Sequence, residues 1–85
     1  MSESTRQPQV ILYTKAGCHL CQDARDILDE IAAQVDYELT EIDIRSDSET
    51  FERYRYRIPV ILIDETLAAE GRIEYSDLAR AFHIT

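Results

Sequence analysis

Val10-Ile11-Leu12-Tyr13-Thr14-Lys15-Ala16-Gly17-Cys18-His19-Leu20-Cys21 holds both cysteines of an 85-residue chain, in C-x-x-C spacing, where the hydrophobic period changes. Val10 to Tyr13 is apolar without alternation, as in a strand covered on both faces. From Cys18 to about Gln34 the pattern is helical. Leu20, Ala24, Ile27, Leu28, Ile31 and Val35 form one apolar stripe, and Gln22, Asp26, Asp29 and Glu30 face away from it. Cys18 is therefore expected at a helix entrance, among unpaired N–H groups and about half a positive charge. That environment favours the thiolate, the nucleophilic form, and lowers such thiols to a pKa of about 3.5–7.5. Cys21 is expected one turn inside, shielded, reacting second.

Further along, Tyr37 to Ile44 is strand-like, but Tyr37 and Leu39 share one phase while Ile42 and Ile44 share the other. A bulge or an edge position explains such a slip. Ser46-Asp47-Ser48-Glu49 has the form of a capping box and predicts a short helix to about Arg55, with Phe51 and Tyr54 on one face. Pro59 ends that helix and biases Ile58 towards extended backbone. Val60-Ile61-Leu62-Ile63 is a second unbroken apolar strand, Asp64-Glu65 a turn, and Thr66 to Glu70 a last strand broken by Gly71. A final helix is expected from near Ser76 to about His83, burying Tyr75, Leu78, Ala79 and Phe82. The order is β-α-β-α-β-β-α. Both strand-helix-strand connections predict parallel strands, and the final pair an antiparallel hairpin. The expected fold class is α/β, a four-stranded mixed sheet flanked by three helices.

Composition narrows the function. The chain has 17 acidic and 9 basic side chains, a formal charge of −8. Such a balance argues against nucleic acid or an anionic membrane as partner, because phosphate binding needs a basic face. No stretch has the length of a transmembrane helix, and Met1 to Pro8 reads as a flexible tail without a signal-peptide core, leaving one domain over residues 9–85. A cytoplasmic location and a monomer are expected. In a reducing compartment a C-x-x-C is more often redox-active or metal-binding than a staple. A bridge closing so small a loop removes little unfolded-state entropy.

With C-x-x-C after the first strand and a proline opening the third, the chain resembles the thioredoxin fold. It resembles glutaredoxins more closely: Tyr13-Thr14-Lys15-Ala16-Gly17-Cys18-His19-Leu20-Cys21 is similar to their Y-[ST]-K-x-x-C-x-x-C segment. Arg57-Ile58-Pro59-Val60 stands where they carry T-V-P, and Ser76-Asp77-Leu78 where they carry [ST]-D-L. More narrowly, it is similar to a small glutaredoxin-like family. The resemblance spans about Val10 to Phe82. It implies a thioredoxin-like fold, a cis Pro59 facing the cysteines, and thiol–disulfide exchange with Cys18 as nucleophile and Cys21 resolving. Three positions depart from the glutaredoxin pattern. The inner pair is His19-Leu20 rather than Pro-Tyr, Ile73-Glu74 replaces a double glycine, and Arg57 replaces a threonine. Fold and dithiol chemistry are thus implied, while glutathione is one choice of reductant beside thioredoxin reductase.

Around the cysteines, the expected binding residues are Lys15, His19, Arg57, Ile58 and Pro59. His19 either stabilises the Cys18 thiolate or is simply exposed. Lys15 either holds a thiolate or substrate carboxylate, or is solvated. Arg53, Arg55 and Arg57 crowd the approach to Pro59; either Arg57, with Arg55, holds a glutathione carboxylate or an acidic protein patch bidentately, or the three serve as helix C-terminal charges. A cis Pro59 would present the Ile58 N–H and C=O to an extended substrate, as an added strand does. Ser76 and Asp77 read as an N-cap and a first-turn acid, with a glutathione-amine site as the lesser reading, and His83 as a surface residue. The expected partners are a disulfide-bearing protein or glutathione mixed disulfide and a reductase or glutathione system. No tightly bound cofactor is expected, and no metal. Two other functions compete: an inert interaction module of the same fold, and a metal or iron–sulfur site, for which one C-x-x-C supplies only two of the usual four ligands.

Overall fold

A computed structural model describes residues 7–84. The chain runs β1 (Gln9–Thr14), α1 (His19–Ala32), β2 (Glu38–Asp43), a 3-10 turn (Ile44–Ser46), α2 (Ser48–Tyr54), β3 (Val60–Ile63), β4 (Thr66–Glu70) and α3 (Tyr75–Ala81). The four strands form one sheet in the order β2-β1-β3-β4. The α/β class with a mixed sheet and three helices is as the sequence predicts. Of the tail expected over 1–8, all but Gln7 and Pro8 lies outside the described residues. The Pro8 carbonyl accepts the Glu38 N–H at 3.0 Å.

The two strand-helix-strand connections differ. β1 and β2 pair in parallel, as expected, with Leu12 opposite Glu41 and Thr14 opposite Asp43. The second expectation of parallel strands fails: β3 runs antiparallel to β1, with Tyr13 opposite Val60, and does not pair with β2. Here α2 has only 7 residues. At 1.5 Å per residue it is about 10 Å long, roughly half the reach of a six-residue strand. It does not return the chain to where β2 began, so β3 starts at the end of the sheet where β2 finished.

Both faces of the sheet are covered, which is why β1 and β3 are apolar without alternation. On one face Val10, Leu12 and Ile61 meet Ala24, Leu28 and Ile31 of α1 and Leu78 of α3. On the other, Val60 meets Ile44 and Tyr54, with Tyr13, Phe51 and Leu62 around them. Tyr13 and Tyr54 stack with ring centroids 4.4 Å apart. A fully buried Leu or Ile stabilises by roughly 1.5–3 kcal/mol, so the face against α1 and α3 carries the larger share. The phase slip in β2 comes from its place at the sheet edge. Its register with β1 is unbroken, Leu39 packs towards α1, and Ile44 leaves the strand to pack beneath α2.

Helix starts shift by a residue or two. Asp47, not Ser46, caps α2, its carboxylate accepting the Thr50 N–H at 2.9 Å. Glu74, not Ser76, precedes α3, and its N–H donates to Asp77 at 3.0 Å. Tyr75 stays at the surface, 37% exposed, rather than joining the buried face. Asp64 and Glu65 form the β3–β4 turn, both with positive φ, at 49° and 71°. The sign matches the mirror-image turns that suit hairpin twist. The Asp64 carboxylate and N–H both bond back to Gln9.

Candidate active site

The C-terminal ends of β1 and β2 and the start of β3 meet at one end of the sheet. From β1 the chain turns through Lys15 to Gly17, where φ is +80°. The Cys18 N–H closes the turn onto the Lys15 carbonyl at 3.3 Å. Cys18 is the N-cap of α1, with extended backbone, and its Sγ accepts the Cys21 N–H at 3.2 Å. An N-cap side chain ordinarily offers oxygen to such an N–H; here a sulfur does so. Cys18 is half-buried, whereas Cys21 is 3% exposed. The two sulfurs lie at disulfide distance, with Cα atoms 5.2 Å apart.

Continuing the β1–β3 register past Val60 and Tyr13 brings Pro59 beside Thr14, next to the cysteine turn. The Ile58–Pro59 bond is cis, as the resemblance implies, and Pro59 is fully buried. The Gly71 N–H ties β4 to this loop, donating to the carbonyls of Pro59 at 2.8 Å and Arg57 at 3.1 Å. Half of the substrate-pairing expectation at Ile58 changes. Its N–H is donated to the Tyr54 carbonyl at 3.1 Å, because the last carbonyls of a helix lack intrahelical donors. The chain leaving α2 supplies one.

The charged candidates separate. His19 turns to solvent, its side chain 89% exposed, with Nε2 3.6 Å from Asp23. Lys15 is exposed at the rim of the cysteine turn. The arginine run is largely neutralised. Arg57 binds Glu70 at 2.7 Å and lies over the Tyr54 ring. Arg55 lies over Phe51 and Tyr56, with Glu52 at 3.4 Å. Their anionic partners are surface groups on α2 and β4, which the sequence pattern does not bring near. Asp77 is occupied by its backbone capping bond, and Glu70, Asp77 and Arg80 line a separate cavity of about 380 Å³ between β4 and α3.

Both cysteines open onto a pocket of about 320 Å³ between the cysteine turn, α1 and β2. Thr14, Lys15, Gln22, Arg25 and Glu41 supply its polar groups. Arg25 contacts Glu41 directly and bonds Asp29 at 3.3 Å. The hydrogen bond from Arg25 to Asp29, with the charge of Glu41, raises the Arg25 pKa above its ordinary value. At the same end of the sheet, Arg45 binds Asp43 at 2.8 Å and lowers the Asp43 pKa to about 2. Arg25 and Glu41 escape a reading of the sequence. Arg25 follows Cys21 by one helical turn, which is a usable signal, but only strand register brings Glu41 beside Leu12. Among the described residues no three His, Cys, Asp or Glu side chains converge as metal ligands, and no helix is long and apolar enough to cross a membrane.

A family model described as Glutaredoxin-like domain (DUF836) matches residues 9–83. Among solved structures, a protein from Nitrosomonas europaea is similar at a TM-score of 0.78 and 19% identity, covering 95% of this chain and 98% of that one. A protein from X. campestris gives 0.74 and 21%, covering 89% and 97%. A mutant thioredoxin from Halobacterium salinarum gives 0.66 and 18%, covering 89% and 72%. At these identities the likeness is one of fold.

Proposed function

The chain belongs to the glutaredoxin-like domain family (DUF836), and on that premise we infer that it is a thiol–disulfide oxidoreductase, an electron carrier whose dithiol is Cys18 and Cys21. One observation carries the reading: Cys18 caps α1 and receives the Cys21 N–H on its sulfur, while Cys21 itself is buried. On reduction the same N–H and the helix N-terminus stand ready to stabilise a thiolate on Cys18. That thiolate attacks one sulfur of a substrate disulfide, and the other sulfur leaves as a thiol. Cys21 then attacks Cys18 Sγ, the substrate's second sulfur departs, and the protein disulfide forms. Burial keeps Cys21 from competing for the first attack.

The substrates of this reading are disulfide-bearing proteins or glutathione mixed disulfides, met in the cytoplasm by a monomer serving redox homeostasis. Lys15 is the cation left to steer a substrate carboxylate, since Arg57 is held by Glu70. Pro59, beside Thr14 in the continued β1–β3 register, flanks the cysteine turn, and Ile58 contributes packing rather than its N–H, which Tyr54 holds. The test is reduction of 2-hydroxyethyl disulfide, with glutathione and glutathione reductase, or thioredoxin reductase, offered separately as electron source. Cys18→Ser is expected to abolish turnover with either source. Undiminished turnover in that variant would overturn the assignment. Cys21→Ser retains activity only if glutathione resolves the mixed disulfide.

A further inference from the structure

We propose that Glu41 is the proton acceptor for Cys21 in the resolving step, working across the solvent of the shared pocket, with Arg25 as the residue that positions it. The proposal rests on the dithiol reading above. In the mixed disulfide, Cys18 is bonded to the substrate sulfur and Cys21 is a thiol. Resolution breaks the S–H bond of Cys21 and the bond between Cys18 and the substrate, and forms the Cys18–Cys21 bond. The substrate sulfur takes the electron pair of the broken bond and finally a proton. One proton thus passes from Cys21 to the leaving thiol, and no outside oxidant is needed.

The difficulty lies at Cys21. It is 3% exposed, and burial disfavours a thiolate that water cannot solvate. The N–H at the helix entrance is already spent on Cys18. A base is needed, and the pocket onto which both cysteines open has one carboxylate among its lining residues, Glu41. The other ionic groups lining it are Lys15 and Arg25, both cations near neutral pH and so unable to accept a proton. A water occupies about 30 Å³ in the liquid, so a pocket of about 320 Å³ has room for a short relay.

The surrounding charges are consistent with that role. Arg25 stands one turn after Cys21, on the same face of α1. Its guanidinium holds Glu41 and is itself held by Asp29. Asp43, next along this face of β2, is engaged by Arg45 at 2.8 Å. Glu41 lies opposite Leu12 on the sheet face that α1 covers, so the edge strand β2 sets it, with its side chain 41% exposed, on the rim of the pocket beside the helix that carries the thiol.

The test separates the two chemical steps. Reduced protein is mixed in a stopped-flow instrument with 5,5′-dithiobis(2-nitrobenzoate), whose released thiol is coloured. The first release, proportional to reagent, reports attack by Cys18; the second, independent of reagent, reports resolution by Cys21. The coloured thiol leaves without needing a proton, so the second phase isolates deprotonation of Cys21. In Glu41→Gln the ratio of second-phase to first-phase rate at pH 7 is expected to fall about tenfold, below the 10²–10⁴ of a directly bonded base because solvent carries the proton. The second phase should then rise with pH through pH 8–9, and Glu41→Asp should restore part of the ratio. A Glu41→Gln second phase unchanged from pH 6 to 9, or equal slowing of both phases in that variant, would overturn the proposal. A native chain that shows no first phase would instead overturn the dithiol reading, and this assignment with it.

Discussion

Replacing Gly17 by alanine tests how the nucleophile is held. Gly17 has φ +80°, and a Cβ built there meets no atom within 4 Å. Packing therefore contributes nothing to the substitution, and the cost is that of the backbone alone. A left-handed conformation costs an L-residue about 1–2 kcal/mol. Alanine recovers about 0.4–1 kcal/mol by restricting the unfolded chain. At mid-range values the expected net loss is about 0.8 kcal/mol, and at about 4–8 °C per kcal/mol for a domain this small, the melting point falls by roughly 3–6 °C. Urea denaturation followed by circular dichroism, with the cysteines reduced, measures the loss directly. Gly17→Asn should lose less, since asparagine tolerates positive φ better. A Gly17→Ala variant as stable as the native chain would refute the assigned turn. A loss above about 3 kcal/mol would mean a clash that the open space denies. The turn also sets Cys18 as the N-cap of α1. Iodoacetamide alkylation of Cys18 against pH should therefore keep its midpoint well below the free-thiol value of about 8.5 only where the variant preserves the turn.

Two further outcomes are expected. Leu28 is fully buried between α1 and the sheet, so Leu28→Ala should lose about 2–5 kcal/mol, read as a lower urea midpoint; a loss under 1 kcal/mol would contradict that packing. Asp43 has its pKa lowered by the Arg45 hydrogen bonds from 3.8 to about 2. Its stabilisation is complete above 3.8 and is lost as pH falls towards 2. Asp47, lowered by its capping bonds to Thr50, acts with the same sign. The urea midpoint should thus fall between pH 4 and 2, and less steeply in Asp43→Asn. A midpoint flat over that range would remove the carboxylate account.

Much of the site is local and therefore legible. The C-x-x-C at a strand-to-helix junction, the apolar stripe of α1 and the proline before β3 are short-range patterns, and each follows from the period of the hydrophobic residues. Helix starts moved because several residues near Ser46 and Ser76 can cap. Which one does so depends on where the flanking strand ends. The arginine run was legible as charge but not as a paired surface, since Glu52 and Glu70 are brought to it by α2 and β4.

The sequence by itself determined the element order, the four strands, the position of Cys18 at a helix entrance and the shielding of Cys21. Those depend on periodicity and on interactions spanning about one turn. Only the tertiary structure decided that β3 runs antiparallel to β1, that the Ile58 N–H is taken by Tyr54, and that Arg25 and Glu41 share a pocket with the dithiol. Strand pairing is a long-range choice, made by which apolar faces can be covered at once. A residue's neighbours across the sheet follow from that register and leave no trace in its own stretch of chain.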